Sequence, residues 1–369
     1  MTASSLPRIV TICGDPGGAN AVAPVIEILR ADGKVLVAAL AYLQAVTLWS
    51  ERGIQFDTIK GETGDNDILK FLNEPKADLL LTGTSVNRFE LEKRFIEAAR
   101  QLDIPSLSVL DFWSNYALRF SDKAGNLCYL PDWIAVMDAL ARDEMVAAGI
   151  AGSSIVITGH PALDSLEKHR HAFTQERKAA VRQDFGVATD GWLVLYASQP
   201  PIFFEQDDSV PPPWLDRLRT VNALLEPLAS LAKERGKSAT LLIRPHPRES
   251  GEIYRDLAHD TVRIVVSGEG DSRDLALAAD VVVGMNTMFL VESRSLGCPT
   301  LSIRLALPLP DDFPPNYSGV IRAVYREEDV STVLEELLSQ PVSDMPLPEA
   351  PDNASGNVAQ LLYSMLDLK

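Results

Sequence analysis

Cysteine is scarce in this 369-residue chain: Cys13, Cys128 and Cys298 are odd in number, far apart, and in no CxxC or Cys/His spacing. That excludes a disulfide framework and a thiolate zinc site, so a reducing compartment and no metal are expected. Basic residues are also in deficit, with 34 Lys and Arg against 51 Asp and Glu, a net charge of −17 and a pI near 4.7. Such a field opposes broad attraction to nucleic acid or anionic lipid, and an anionic ligand would need a local basic pocket. No apolar run is long enough for a membrane span. The longest candidate, Val35 to Trp49, falls short of the ~20 residues a bilayer requires and reads as a buried strand entering a helix. The opening "MTASSLPR" lacks the basic-then-apolar pattern of a secretory signal, which makes the cytoplasm the expected address. Peripheral membrane contact through exposed apolar side chains stays open. Short-period repeats and low-complexity tracts are absent.

What is present is an ordinary globular composition, 46% apolar and 23% charged, in a chain longer than a single hydrophobic core usually serves. Two domains are expected. Short apolar runs alternate with helix-period segments throughout, the pattern of parallel strands joined by crossover helices. Strands are expected near Ile9–Cys13, Lys34–Leu40, Gln55–Ile59, Asp78–Leu81, Ser106–Leu110, Trp133–Met137 and Ile155–Ile157. A second set is expected at Trp192–Ser198, Ala239–Ile243, Val262–Val266, Val281–Val283 and Thr300–Ile303. Val22, Val25, Ile26 and Leu29 mark one helical stripe, and Leu91, Phe95, Ala98 and Leu102 another. Leu215, Leu218, Val221, Leu225, Leu228 and Leu231 mark a third, with Pro227 a kink candidate. The polar segment "EKHRHAFTQERKAAVRQDFG" reads as an interdomain linker. The expected domains are 1–168 and 186–345, with a helix at 355–369 packing back on the first. Two proline-rich stretches, 198–214 and 305–317, each follow a strand and are either lids or rigid packing segments.

The first strand runs into a glycine turn, "RIVTICGDPGGANAVAPVIEILR". A dinucleotide fingerprint needs G-x-G-x-x-G and an acid about 20 residues on. Gly14, Gly17 and Gly18 give G-x-x-G-G, and Ala41 and Tyr42 stand where the acid belongs. A nicotinamide or flavin site is therefore rejected, and no cofactor is expected. What remains is a helix N-terminus whose N–H groups favour negative oxygens. Asp15 puts a carboxylate at the same place, where it can repel phosphate, act as base toward a hydroxyl, or cap the helix.

In the second half, "LLIRPHPRES" places Arg244, His246 and Arg248 just past a strand, a concentrated cationic feature suited to phosphate or to paired surface carboxylates. "ADVVVGMNTMFLVESRSLGCPTLSIR" reads strand, turn, helix, turn, strand. Its turn aims a helix N-terminus and the Thr287 hydroxyl at the sheet edge, a diphosphate geometry. Glu292 on that apolar helix either accepts ribose hydroxyls or pairs with Arg294 or Arg304. Asp111 in "SVLDFWSNYALRF" stands beside Phe112, Trp113 and Tyr116, rings able to stack on a sugar or to pack on the domain beneath. His160 in "TGHP" reads as a hinge-shaping residue.

In order and spacing, the glycine turn, "VITGHPALDSL", "RPHPR" and "NTMFLVESRSLGCPT" resemble the landmarks of the two-domain glycosyltransferases of GT-B architecture. That superfamily includes UDP-N-acetylglucosamine 2-epimerases and CDP-glycerol glycerophosphotransferases. The resemblance implies an α/β fold of two Rossmann-like domains facing a central cleft. It implies a nucleotide-sugar donor on the second domain, with Asn286, Thr287 and Met288 at the diphosphate, Glu292 at the ribose, Arg244 and His246 near phosphate, and Ser198 and Gln199 facing the same space. The acceptor would lie against the turn from Gly14 to Asn20. Departures from the epimerases are Thr84 in place of an aspartate, and Ser198–Gln199–Pro200–Pro201 in place of a histidine-arginine motif. The glycine pair usual in the diphosphate turn is replaced by Asn286 and Thr287.

The expected function is transfer of a sugar or polyol phosphate from a nucleotide-activated donor to a cell-surface glycan or glycolipid precursor. No metal is needed: Asp15, or else Asp111, would activate the acceptor hydroxyl, and His246 would neutralise the leaving group. A UDP-sugar epimerase or hydrolase of the same fold, and a non-catalytic binding protein, are the alternatives. The sequence sets no oligomeric state.

Overall fold

The computed structural model describes residues 6–199, 214, 216–247, 249–308, 310–339 and 351–368. The chain divides into two compact units, Met1–Asp164 with Glu349–Lys369, and Ser165–Pro348. Both are α/β, each built on one sheet whose strand pairings among the described residues are all parallel.

The first unit contains β1 (Arg8–Cys13), β2 (Leu36–Ala41), β3 (Asp57–Thr58), β4 (Leu79–Thr82), β5 (Ser106–Val109), β6 (Trp133–Val136) and β7 (Ile155–Ile157), in the order β3-β2-β1-β4-β5-β6-β7. Between them run α1 (Pro16–Asp32), α2 (Gln44–Glu51), α3 (Asp65–Asn73), α4 (Leu91–Gln101) and α5 (Ala139–Ala147). Central strands of such a sheet are covered on both faces, and β1 shows why its sequence is apolar without alternation. Ile9 and Cys13 enter the core formed with Val22, Val25, Ile26 and Leu29 of α1. Val10 and Ile12 enter the opposite core, with Phe95, Ile96 and Ala99 of α4. Each of these four β1 side chains is fully buried, and burying an aliphatic of this size is worth roughly 1.5–3 kcal/mol. Pro16 opens α1, where a missing N–H costs nothing, and Gly33 closes it at φ 64°, a left-handed cap.

The second unit contains β8 (Trp192–Ala197), β9 (Ala239–Arg244), β10 (Val262–Val266), β11 (Val281–Gly284), β12 (Thr300–Ile303) and β13 (Arg322–Val324), in the order β10-β9-β8-β11-β12-β13. Its helices are α6 (Leu166–Ala172), α7 (Gln175–Asp184), α8 (Arg217–Glu234), α9 (Ser272–Ala278), α10 (Met288–Ser295), α11 (Pro314–Tyr317) and α12 (Glu327–Ser339). A last helix, α13 (Ala354–Met365), belongs to the first unit: Val358, Ala359, Leu362 and Tyr363 join the α1 core, and the Tyr363 hydroxyl donates to Asp32 at 2.8 Å.

Several details differ from the sequence reading. The segment read as a linker forms α6 and α7, which are integral to the second unit. Leu166 and Val181 are buried, and Arg182 donates to the Ala278 carbonyl at 2.9 Å and to Asp280 at 3.1 Å. The polar character of these helices reflects one buried residue per helix, not absence of packing. On α8 the core stripe runs through Val221, Leu224, Leu225, Leu228 and Leu231, whereas Leu218 is exposed and Leu215 lies outside the described residues. The helix continues through Pro227. Strand β13 is short and carries Arg322 outward, so it lacks the apolar run by which the other strands were recognisable. The proline-rich stretch 198–214 lies largely outside the described residues, but the described part of 305–317 is a packing segment. There the buried Asp311 carboxylate accepts from Arg304 (3.2 Å), the Phe313 N–H (2.9 Å), Asn316 (2.8 Å) and Tyr325 (2.9 Å). Among the described residues no helix is long and apolar enough to cross a membrane.

Candidate functional site

In an open parallel sheet, neighbouring loops diverge where the strand order reverses, and the crevice lies beyond the carboxyl ends of those strands. In the first unit this point falls between β1 and β4. The glycines of the first turn serve close approach there, and not a free anion cradle. A Cβ on Gly14 would stand 2.2 Å from the Tyr42 ring, and one on Gly18 would stand 3.0 Å from the Thr84 carbonyl oxygen. A Cβ on Gly17 would stand 1.8 Å from Asp111 Oδ2. The start of α1 therefore already has one of the chain's own carboxylates against it. Asn20 lies partly buried on the first turns of the same helix.

Asp15 sits at the N-cap position of α1, yet its side chain makes no cap hydrogen bond. It turns across the crevice to the loop after β4, where Oδ2 accepts from the Val86 N–H and Oδ1 from Asn87 Nδ2, both at 3.2 Å. The helix-capping reading is thereby replaced by one in which Asp15 spans the two strands of the switch point. Asp111, at the end of β5, is buried and held by the Thr84 hydroxyl and Arg119 Nη1, each at 2.6 Å from Oδ1. Thr84 and Arg119 also bond each other at 2.8 Å. His160 packs beneath. Burial lowers its pKa, and a neutral imidazole facing the Asp111 carbonyl at 3.1 Å must be protonated on Nε2, leaving Nδ1 without a partner among the described residues. The rings beside Asp111 are packing residues: Trp113 Nε1 donates to Asp138 at 2.7 Å and the Tyr116 hydroxyl to Glu144 at 2.6 Å.

The centre of this cluster is a residue the sequence reading passed over. Glu92, on the first turn of α4, is buried, and its carboxylate receives three donors: the Gly14 N–H (2.8 Å) at Oε1, and Tyr42 (2.5 Å) and Ser85 (2.7 Å) at Oε2. Burial and the neighbouring Asp15 push its pKa from 4.5 up to about 7, against the pull of the Tyr42 and Ser85 hydrogen bonds. Tyr42 in turn is raised well above its ordinary value, by burial first and then by Glu92. A signal was available, because Glu92, Phe95, Ile96 and Ala99 recur at i, i+3, i+4 and i+7, which puts the acid on the buried stripe of α4. Arg119 offered no such signal, since only the fold brings it to Asp111.

In the second unit the corresponding reversal lies between β8 and β11, and hydrogen bonds draw four of the expected residues together there. The Ser198 N–H donates to the Arg244 carbonyl at 2.9 Å, tying the ends of β8 and β9. Gln199 Oε1 accepts the Asn286 N–H at 3.2 Å, tying β8 to the turn after β11. Ser198 Oγ lies 2.6 Å from the Tyr254 hydroxyl, and Asn286 Oδ1 has no hydrogen-bond partner among the described residues. The turn offers fewer N–H groups than expected. That of Asn286 is engaged, and Thr287 caps α10 by accepting the Phe289 N–H at 3.3 Å. Met288 is the first residue of α10 and partly buried.

The cationic loop is self-bound in part. Arg244 Nη1 donates to the Glu269 carbonyl at 2.8 Å, the His246 N–H donates to Glu249 at 2.8 Å, and Glu249 also pairs with Arg217. Arg248 lies outside the described residues. Glu292 faces Arg273 at 3.9 Å. Arg294 donates to the Val320 carbonyl and Arg304 is buried on Asp311. Asp15 and Asp111 thus belong to the first unit and His246 to the second. Among the described residues, one group of metal-ligand type occurs, His169, Asp271 and Asp274. There Arg177 and His169 already hold Asp274, each at 2.8 Å, and Asp271 caps α9.

A protein-family model described as CDP-Glycerol:Poly(glycerophosphate) glycerophosphotransferase matches residues 145–284. No curated protein is matched by the sequence. Among solved structures, the chain is similar to UDP-GlcNAc 2-epimerase from Methanocaldococcus jannaschii, with TM-score 0.71 and 13% identity over 97% of this chain and 99% of that one. It is similar to the Neisseria meningitidis UDP-GlcNAc 2-epimerase solved with UDP-GlcNAc, with TM-score 0.69 and 15% identity over 97% of this chain and 100% of that one. It is also similar to Acinetobacter baumannii MurG, with TM-score 0.56 and 14% identity over 98% and 100% of the two chains. The chain shares with these structures an α/β fold of two Rossmann-like domains, of GT-B type.

Proposed function

We propose that this protein transfers a sugar or polyol phosphate from a nucleotide-activated donor to a hydroxyl of a glycan or glycolipid precursor. The observation that carries the reading is the match of residues 145–284 to the glycerophosphotransferase model, a stretch that includes β8, β9 and the "RPHP" loop. In this reading the edge formed by Ser198, Gln199, Arg244, His246, Asn286, Thr287, Met288 and Glu292 receives the donor, and Asn286 Oδ1 supplies an open acceptor for it. The first-unit crevice receives the acceptor. Its buried carboxylates and hydroxyls suit an uncharged polyhydroxyl compound better than a phosphate, because Asp111 already occupies the start of α1.

The step is a displacement. Asp15 takes the proton of the acceptor hydroxyl as that oxygen bonds to the transferred carbon or phosphorus, and the nucleoside phosphate leaves with the electron pair. Arg244 and His246 offset its developing charge. The test is calorimetric titration with UDP-, CDP- and CMP-activated donors, CDP-glycerol included, followed by transfer assays on wild type and Asp15→Asn. Binding of one donor and loss of at least about a hundredfold in transfer by the variant are expected, the range of a lost general base. Failure of the folded protein to bind any of them defeats the proposal. Turnover of a UDP-sugar without acceptor assigns the epimerase or hydrolase reading in its place.

A further inference from the structure

We infer that Glu92 is a positioning residue for Asp15, acting through Tyr42 and Asn87 to hold the Asp15 carboxylate across the crevice. The inference rests on the reading of Asp15 as the acceptor base and extends it to a residue that touches neither substrate nor donor.

The hydrogen-bond polarity of the cluster carries it. Asn87 has two amide hydrogens and both are assigned: Nδ2 donates to the Tyr42 oxygen at 2.8 Å and to Asp15 Oδ1 at 3.2 Å. The amide cannot be reversed, because its Oδ1 accepts the Phe89 N–H at 3.0 Å. The Tyr42 oxygen is therefore an acceptor toward Asn87, and its own hydrogen goes to Glu92 Oε2. Ser85 and the Gly14 N–H also donate to Glu92. Tyr42, Ser85 and the Gly14 N–H thus all donate to Glu92, while Asn87 donates to Tyr42 and to Asp15, an arrangement complete only when Glu92 is ionised. A protonated Glu92 must instead donate from one oxygen. If it donates to Tyr42, the tyrosine hydrogen turns back against Asn87, and one of the contacts that hold Asp15 is disturbed. If it donates to Ser85, that hydroxyl must find another acceptor.

The groups around Glu92 make its ionisation depend on Asp15. From the β1–α1 turn it faces Asp15, from the end of β1 the buried Cys13, and from the end of β2 Tyr42. The neighbouring cations are spoken for: Lys93 binds Glu90 and the Ser121 carbonyl, both at 2.8 Å, and Arg119 binds Asp111. The nearest charge that acts on Glu92 is thus negative, and burial together with Asp15 brings its titration to about pH 7.

The test compares wild type, Glu92→Gln, Tyr42→Phe and Asp15→Asn. Glutamine keeps the shape but offers Tyr42 and Ser85 an N–H₂, the donor pattern of the protonated acid. In transfer assays, kcat of the wild type is expected to rise to a plateau through about pH 7, where Glu92 ionises. Glu92→Gln is expected to lack that rise. Its kcat should be lower on the plateau by about tenfold to a hundredfold, the scale of a misplaced catalytic group, with KM for the donor unchanged. Tyr42→Phe should show the same plateau loss and likewise lack the rise in kcat, because the hydroxyl that links Glu92 to Asn87 is gone. An equal loss at every pH, or a Glu92→Gln profile that keeps its limb, overturns the inference.

A second readout works without catalysis. The pH at which Glu92 ionises, followed by urea unfolding, is expected to fall in Asp15→Asn, because one cause of its elevation is removed. An unchanged midpoint shows that the two carboxylates are not coupled and likewise overturns the inference. If no donor is turned over while the midpoint does move, the transferase reading fails and the coupling stands.

Discussion

Replacing Glu92 by glutamine gives a stability measurement whose size follows from the structure. The folded protein holds this carboxyl at about 7, against 4.5 for an unburied glutamate. Between those values the native state keeps a proton that the unfolded chain has released. The contribution to stability is therefore complete below pH 4.5 and is lost as pH rises through about 7. At 1.36 kcal/mol for each pH unit, the difference corresponds to about 3 kcal/mol. Glutamine does not titrate, so the variant lacks this decline. Urea unfolding at a series of pH values reads the effect, with Trp49, Trp113 and Trp133 reporting the first unit and Trp192 and Trp214 the second. The unfolding free energy of Glu92→Gln minus that of wild type is expected to shift by about 3 kcal/mol in the variant's favour between pH 4.5 and 8, in the first-unit transition. Parallel curves for the two proteins would mean that Glu92 titrates as an ordinary carboxylate, and the burial argument would fall with them.

Other consequences are open to direct measurement. Gly14→Ala forces a methyl into the Tyr42 ring, where 2.2 Å is available; overpacking of this kind costs about 1–3 kcal/mol, measurable as a lower denaturation midpoint, and a neutral result refutes the close-approach role. Gly17→Ala displaces Asp111, whose Oδ2 lies 1.8 Å from the added carbon, so a crystal structure of the variant should show the Asp111–Arg119 pair rearranged. Asp311→Ala strips four donors of their acceptor and leaves Arg304 buried beside only the exposed Asp312. The loss should reach about 3–5 kcal/mol in the second unit by calorimetry, and a loss under about 1 kcal/mol would show that segment 305–317 is not a rigid packing element.

The strand pattern was legible because the physics is local. A parallel strand covered on both faces must be largely apolar along its length, and β1, β4, β8 and β11 are, with Arg8, Thr11 and Thr82 the polar exceptions. β13 escaped notice because three residues with an exposed arginine carry no such pattern. Among candidate site residues, Gly14, Asp15 and Asp111 share one cluster, and Ser198, Gln199, Arg244 and Asn286 share another. Each group sits where sequence places it, just past a strand end. Partnerships were another matter. Thr287 and Asn286 spend donors and acceptors on α10 and Gln199, and Arg304, read as a candidate partner of Glu292, proves buried against Asp311.

The sequence by itself determined the α/β class, the two-unit build and the positions of the strand-end loops, because periodicity and glycine placement are properties of neighbouring residues. Only the tertiary structure decided that the opening glycine turn is filled by Tyr42 and Asp111, and that Glu92 lies between Gly14, Tyr42 and Ser85. Apart from the local Ser85 bond, those contacts join residues 28 to 94 positions apart, and the proton affinity of a carboxyl is set by what surrounds it in space.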